Sequence, residues 1–169
     1  MIWLRIRKQK KKGAIMPVLP DLLWPEKPVQ RTPMIIRRVR VNRGLSPQEM
    51  LYATGCDRLT DSRVVEIMPH GEGDVVDVCF FKINCFYITD AELEREYDFL
   101  GLKSDPYAQC QANIDDPSFS EEHPNRCQWI KNGVRGFLGF RYGHDRRQVV
   151  VQATQGGTTN SWWFAGVRK

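Results

Sequence analysis

The stretch Asp74–Tyr87, with the sequence DVVDVCFFKINCFY, holds the densest run of β-branched, aromatic and cysteine residues in the chain. Apolar side chains on both faces of a strand are typical of an interior strand that is covered on both sides. We therefore predict that the rest of the chain folds around this strand. Strand alternation assigns its apolar side chains to two faces, with Val76, Val78 and Phe80 on one and Val75, Cys79, Phe81 and Ile83 on the other.

Segments on both sides of this stretch carry clear signals for further elements. Apolar and basic residues alternate from Met34 to Arg43, which predicts a half-buried strand with a basic outer face. Capping residues predict the helix starts, because a side-chain oxygen at such a position accepts from free backbone N–H groups. These starts are Ser46 with Pro47 and Glu49, Asp61, Thr89 with Glu92, and Asp105 with Pro106.

The C-terminal part has the pattern of a β-meander. Four strand-like segments follow one another, and the dipeptide Asn132-Gly133 between the first two is a strong hairpin signal. We predict an α+β fold: an antiparallel sheet of about five or six strands with a C-terminal meander, and two or three short helices packed on it. The four segments are Arg126–Lys131, Val134–Tyr142, Arg146–Thr154 and Ser161–Arg168.

The positive charge lies at the N-terminus. Residues 1–33 carry eight Lys or Arg residues against two acids, a net +6, which leaves −1 for the rest of a chain whose total is +5. Five prolines between residues 13 and 33 predict an extended arm or linker, so we expect one α+β domain over residues 34–169. Met16 and Met34 are alternative translation starts, and an upstream mis-assignment of the start would remove this arm.

The cysteines and the hydropathy pattern bear on compartment. The chain has five cysteines, an odd and scattered set in a chain long enough to fold without disulfides. We therefore expect reduced thiols and a cytoplasmic protein. The apolar run from Ala14 to Trp24 follows a basic start like that of a signal peptide, but it is broken by prolines and lacks a small-residue cleavage pattern. No segment approaches the roughly 20 apolar residues of a membrane span, so no membrane association is expected.

The sequence offers residues for three kinds of reactive site, but none has a specific motif, so we predict no catalytic residue, no metal and no cofactor. Cys110, His123 and Cys127 could share a loop, but the paired ligands of a structural zinc site are missing. Cys85 could act as a nucleophile only if the fold placed His70 or His144 next to it as a base. The carboxylates are typical of solvated surfaces: Glu92, Glu96, Asp115, Asp116, Glu121 and Glu122.

Basic and aromatic residues favour binding over catalysis. Lys and Arg side chains can neutralise phosphates, and a tryptophan beside them can stack on an unpaired base. Trp162 and Trp163 are consecutive in a predicted strand, so one should face each way. The candidate nucleic-acid-binding residues are Arg5, Arg7, Lys8, Lys10, Lys11, Lys12, Arg38, Arg40, Arg141, Arg146, Arg147, Trp162 and Trp163.

Three hypotheses follow for the function. The first is a small non-enzymatic binding module that contacts single-stranded nucleic acid through the arm and an Arg/Trp surface. The second is a protein-interaction or assembly subunit that docks through residues 17–33, where Leu22, Leu23 and Trp24 would be anchors. The third is an enzyme with a thiol or carboxylate site that has no recognisable motif. The ligand, the oligomeric state and the biological process stay open.

Overall fold

The computed structural model describes residues 34–169, so the predictions for residues 1–33 lie outside the described part of the chain. The described part is α+β, as predicted, with a mixed sheet of eight strands, a small two-stranded sheet and five helices. The strands are β1 (Ile35–Arg40), β2 (Asp57–Thr60), β3 (Val75–Phe81), β4 (Tyr87–Thr89), β5 (Leu102–Lys103), β6 (Asn125–Lys131), β7 (Val134–Gly143), β8 (Arg146–Ala153), β9 (Gly157–Thr159) and β10 (Trp163–Arg168). The helices are α1 (Pro47–Ala53), α2 (Ser62–Glu66), α3 (Asp90–Phe99), α4 (Pro106–Asp115) and α5 (Phe119–Glu122).

The stretch Asp74–Tyr87 supplies β3, which lies between β1 and β10 in the main sheet. Its side chains alternate between two hydrophobic cores, Val78 and Phe80 in one and Cys79 and Phe81 in the other. The prediction of an interior strand covered on both faces is confirmed. β3 is shorter than the predicted stretch because the chain leaves the main sheet after Phe81, and its end forms β4, which pairs with β9.

The two cores lie on opposite faces of the main sheet. Helices α1, α2, α4 and α5 cover one face, called here the four-helix face, and α3 covers the other, called the α3 face. The described residues thus form five helices, instead of the two or three that were expected. No cap signal in the sequence predicts α5, which buries Phe119 in the core of the four-helix face.

The helix starts predicted from caps are confirmed. Ser46 and Thr89 each form a complete capping box, and the side chains of Asp61 and Asp105 accept hydrogen bonds from backbone N–H groups in the first turns of α2 and α4. These signals are reliable because the cap and the groups that it satisfies lie within four residues of each other. In contrast, the pairing of strands depends on residues far apart in the chain.

The strand order corrects the predicted antiparallel sheet. The main path of the sheet is β1-β3-β10-β6-β7-β8-β2, and β5 pairs with β10 beside this path. β6, β7 and β8 form the predicted meander, with Asn132 and Gly133 both at positive φ in the first turn. β10 does not continue the meander: it pairs in parallel with β6 on the side away from β7. β2 is parallel to β8, so the sheet is mixed and has eight strands instead of five or six.

A partly buried ion pair fixes the turn before β3. Arg43 donates to both carboxylate oxygens of Asp105, at 2.7 Å each, and also to the carbonyl oxygens of His70, Glu72 and Gly73. Asp105 is 1% exposed at its side chain and also caps α4. One arginine thus joins the turn to the start of α4.

Among residues 34–169, no helix combines the length and the apolar composition needed to cross a bilayer.

Candidate functional site

The strand directions place most of the candidate residues at one end of the sheet. β1, β10, β6, β8 and β2 run in one direction, whereas β3 and β7 run in the other. The same end therefore holds the start of β10 and the turn between β7 and β8. We call this the arginine end, defined by Arg141, Arg146, Arg147, Trp162 and Trp163. The described chain also enters β1 at this end, at Met34, directly after the basic arm.

The two tryptophans lie on opposite faces of the sheet, as strand alternation predicts. Trp162 packs against the core of the α3 face, and Trp163 packs against the core of the four-helix face. Both are half-buried, so neither ring is fully presented to solvent. The Trp163 ring meets the His123 ring edge-on, with 5.1 Å between centroids, while Trp162 lies over Gly139 on the α3 face.

The three arginines of this end have different surroundings. The β7–β8 register puts Arg141 and Arg146 on the α3 face with Trp162. Arg146 is largely exposed and bridges to Asp57 at 3.3 Å, and Arg141 donates to Gln148 at 3.0 Å. An exposed ion pair of this kind contributes little, so a phosphate can compete for it. Arg147 lies on the other face and donates to a carbonyl oxygen at the end of α4.

Arg38 and Arg40 are not part of the arginine end. They lie on the α3 face of β1, toward the opposite end of that strand. Arg38 donates to both oxygens of Asp77, at 2.9 and 3.3 Å, and this hydrogen bonding lowers the pKa of Asp77. Arg168, which was not among the candidates, lies beside Asp77 and also lowers its pKa. Strand alternation assigns Arg168 to this face, because the preceding residue, Val167, lies in the core of the other face. Its proximity to Asp77 depends on the strand order and could not be predicted from the sequence.

A second candidate region lies where the sheet divides. β6 pairs with β10 only as far as Arg126, and β5 then takes the place beside β10. The gap between β6 on one side and β5 with α3 on the other is a cleft of about 340 Å³, which we call the fork cleft. Its lining includes Tyr97, Lys103, Gln128, Ile130, Arg135 and Lys169. Sequence patterns did not indicate this cleft, because it forms only where the two-residue strand β5 pairs with β10.

Comparison of the chain with protein families, with curated proteins and with solved structures finds no match in any of the three. Function is therefore inferred from the geometry of the described residues.

Four of the five cysteine thiols are poorly suited to nucleophilic chemistry. Burial raises the pKa of Cys79, Cys85, Cys110 and Cys127, so these thiols are protonated at neutral pH, whereas the thiolate is the nucleophile. The proposed partner His70 stacks on Tyr107, in the core of the four-helix face, while Cys85 packs against the core of the α3 face. The sheet therefore separates these two candidates.

Cys110, His123 and Cys127 do not form a cluster of zinc ligands. Cys110 and Cys127 are buried in the core of the four-helix face, and the His123 ring is stacked on Phe119 with 4.9 Å between centroids. Within residues 34–169, no three His, Cys, Asp or Glu side chains come together as ligands for a metal ion.

Proposed function

We propose that the chain is a non-enzymatic binding module that contacts single-stranded nucleic acid at the arginine end. The observation that carries this proposal is topological: the strand order brings the attachment point of the basic arm, two exposed arginines and Trp162 to one end of the sheet. Phosphate contacts need only charge and reach, and the arm has a net charge of +6.

The distances within this end suit a strand of a few nucleotides. β1 and β7 are four strand spacings apart, which is about 19 Å across the sheet. Twenty-one residues separate Lys12 from Met34, and a chain of that length can extend to roughly 70 Å, so the basic run can reach any point of the arginine end. Trp162, on the same face as Arg141 and Arg146, is half-buried and keeps part of its ring accessible for stacking.

Binding of a single-stranded oligonucleotide at several salt concentrations tests the proposal. Neutralising about six phosphates gives a log–log slope of roughly −4, at ~0.7 per contact, and removal of residues 1–33 should abolish most of it. The double variant Arg141→Gln/Arg146→Gln should reduce the slope by about 1.4 for two lost contacts. The matched control is Arg38→Gln/Arg40→Gln, which removes the same charge from the opposite end of β1 and should leave the slope unchanged.

Stacking is tested separately from charge. Trp162→Ala should weaken binding by about 1–3 kcal/mol for one stacked base while the salt slope stays the same. The absence of binding at low salt would refute the proposal, as would equal losses in the two arginine double variants. Docking of residues 17–33 on another protein would then be the better hypothesis.

A further inference from the structure

The fork cleft exposes a segment of strand edge in the interior of the sheet. Lys131 and Val134 flank the two-residue turn of the β6–β7 hairpin, so they form a pair that exchanges both main-chain hydrogen bonds. Hydrogen-bonded pairs recur at every second residue of an antiparallel ladder, so Trp129 and Cys127 also form main-chain hydrogen bonds with β7. Gln128 and Ile130 therefore direct their N–H and C=O groups away from β7, toward the cleft.

Two contacts agree with this alternation. Arg135, opposite Ile130, turns its carbonyl oxygen away from β6 and accepts from the Thr154 N–H at 2.9 Å. If the parallel β10–β6 ladder continued past Arg126, the Ala165 carbonyl oxygen would accept from the Gln128 N–H. Instead, the hydroxyl of Tyr97 donates to that oxygen at 2.7 Å. Tyr97 thus ends the ladder and leaves the β6 edge open.

The side chain of Gln128 adds a donor and an acceptor at the same place. Gln128 is 6% exposed, and neither its Oε1 nor its Nε2 has a hydrogen-bond partner among residues 34–169. An unpaired buried amide is costly, since it has lost its hydrogen bonds to water without replacing them. A ligand with both a donor and an acceptor, as a peptide group has, would satisfy it.

The charged side chains around the cleft are already paired with one another. Arg135 contacts Glu94 and lies 3.6 Å from Asp90. Lys169 bridges to Asp98 at 2.5 Å, and Lys103 bridges to Glu72 at 2.9 Å. Because cations and carboxylates lie side by side around the cleft, a charged ligand group of either sign would also meet a like charge there, so the cleft favours an uncharged ligand. The apolar parts of its lining include the Tyr97 ring and Leu102.

We propose that the fork cleft binds an uncharged, extended peptide segment of a partner protein, which adds as a short strand along Gln128–Ile130. Strand addition uses main-chain hydrogen bonds for affinity and leaves side-chain selection to the flanking walls. At about 3.3 Å per residue, the three residues of this edge match a peptide of similar length, and 340 Å³ is within the range of ligand sites. This site is independent of the arginine end.

Amide hydrogen exchange in the full-length protein tests the open edge directly. The Gln128 and Ile130 amides should exchange much faster than those of Cys127 and Trp129, which bond to β7. A capped, uncharged pentapeptide mixture that varies Ala, Ser, Thr and Val should then slow exchange at Gln128 and Ile130 and shift their amide resonances saturably. Equal protection of all four amides in the free protein would contradict the proposal, and so would the absence of peptide-induced shifts.

Two variants locate the binding. Ile130→Pro removes an N–H that faces the cleft without removing a β7 ladder bond, and it should weaken peptide binding at least tenfold. Gln128→Leu keeps the side-chain volume, removes the unpaired amide, and should also weaken binding at least tenfold while the protein stays folded. The control Gln152→Leu alters an exposed glutamine on the same face, outside the cleft, and should bind like the wild type.

Unchanged peptide affinity in Gln128→Leu would overturn the proposal even if Ile130→Pro failed to fold. A single-stranded oligonucleotide serves as the competing probe. If it shifted the Gln128 and Ile130 resonances and the peptides did not, the cleft would belong to a nucleic-acid surface and the peptide assignment would be wrong.

Discussion

The arginine end and the fork cleft are built from the same sheet, but they offer a ligand different chemistry. The arginine end presents side-chain cations and one partly accessible indole ring, which suit a charged and flexible ligand. The fork cleft presents main-chain groups and one buried amide inside a rim of paired charges, which suits an uncharged ligand. As proposed, the two regions would give a chain with an almost neutral body a charge-dependent and a charge-independent site on separate parts of one sheet.

The largest effect that separates the two regions is expected from Arg43→Leu. This change leaves the buried carboxylate of Asp105 without its ion-pair partner, next to Ser104 in the wall of the fork cleft. Because removal of one member of a buried pair strands the other, stability should fall by about 3–5 kcal/mol, measured by urea unfolding. The control Arg38→Leu removes an arginine whose ion pair is exposed and should leave the urea midpoint unchanged.

If Arg43→Leu and Arg38→Leu lowered stability equally, the Arg43–Asp105 pair would not be a structural element. In the partly destabilised variant, peptide binding at the cleft should be weaker, whereas oligonucleotide binding at the arginine end should persist. Loss of both together would mean that the two regions unfold as one unit under these conditions.

The difference between the regions also explains what was predictable from the sequence. Helix starts at Ser46 and Thr89 and the Asn132-Gly133 turn depend on residues within a few positions, so these predictions are confirmed. The candidates Arg141, Arg146 and Trp162 were found from residue type alone, although their common location required the strand order. The fork cleft depends on the pairing of Leu102 with Arg168 and of Lys103 with Val167, residues far apart in the chain, and no local pattern specifies it.

The same reason accounts for the incorrect sheet. An antiparallel meander is the simplest arrangement of consecutive strands, because each strand is joined to its neighbour by a tight turn. β10 instead has buried residues on both faces, Phe164 on one and Ala165 on the other, and it takes an interior position between β3 and β6. β2 was missed because all four of its residues are exposed, which leaves no hydrophobic alternation to detect.

Two glycines of β7 provide an intermediate test, because each lies beneath a tryptophan on a different face. A Cβ at Gly136 would lie 2.8 Å from both Trp129 and Val64, which are buried in the core of the four-helix face. A Cβ at Gly139 would lie 3.1 Å from Trp162, which is only half-buried. Gly136→Ala should therefore destabilise the protein by about 1–3 kcal/mol through overpacking.

In Gly139→Ala, Trp162 can move outward, so the loss of stability should be smaller than in Gly136→Ala. The displaced ring should become more accessible to a fluorescence quencher, and oligonucleotide affinity should change while its salt slope does not. Urea unfolding and quenching measure the two effects separately. A larger loss of stability in Gly139→Ala than in Gly136→Ala would show that Trp162 is held as tightly as the core residues.

The smallest effect is expected from removal of residues 1–33. The two hydrophobic cores described here, the capped helices and the Arg43–Asp105 pair lie within residues 34–169, so we expect a chain that starts at Met34 to unfold cooperatively with a nearly unchanged urea midpoint. The same chain should lose most of the salt dependence of oligonucleotide binding and keep its affinity for the uncharged peptides, since it retains every lining residue of the cleft named above. An insoluble or non-cooperative product would place the arm in the folded structure and make the predicted boundary wrong. Loss of peptide binding from a stable, cooperative product would instead show that the arm contributes to the fork cleft, and the separation of the two regions would fail.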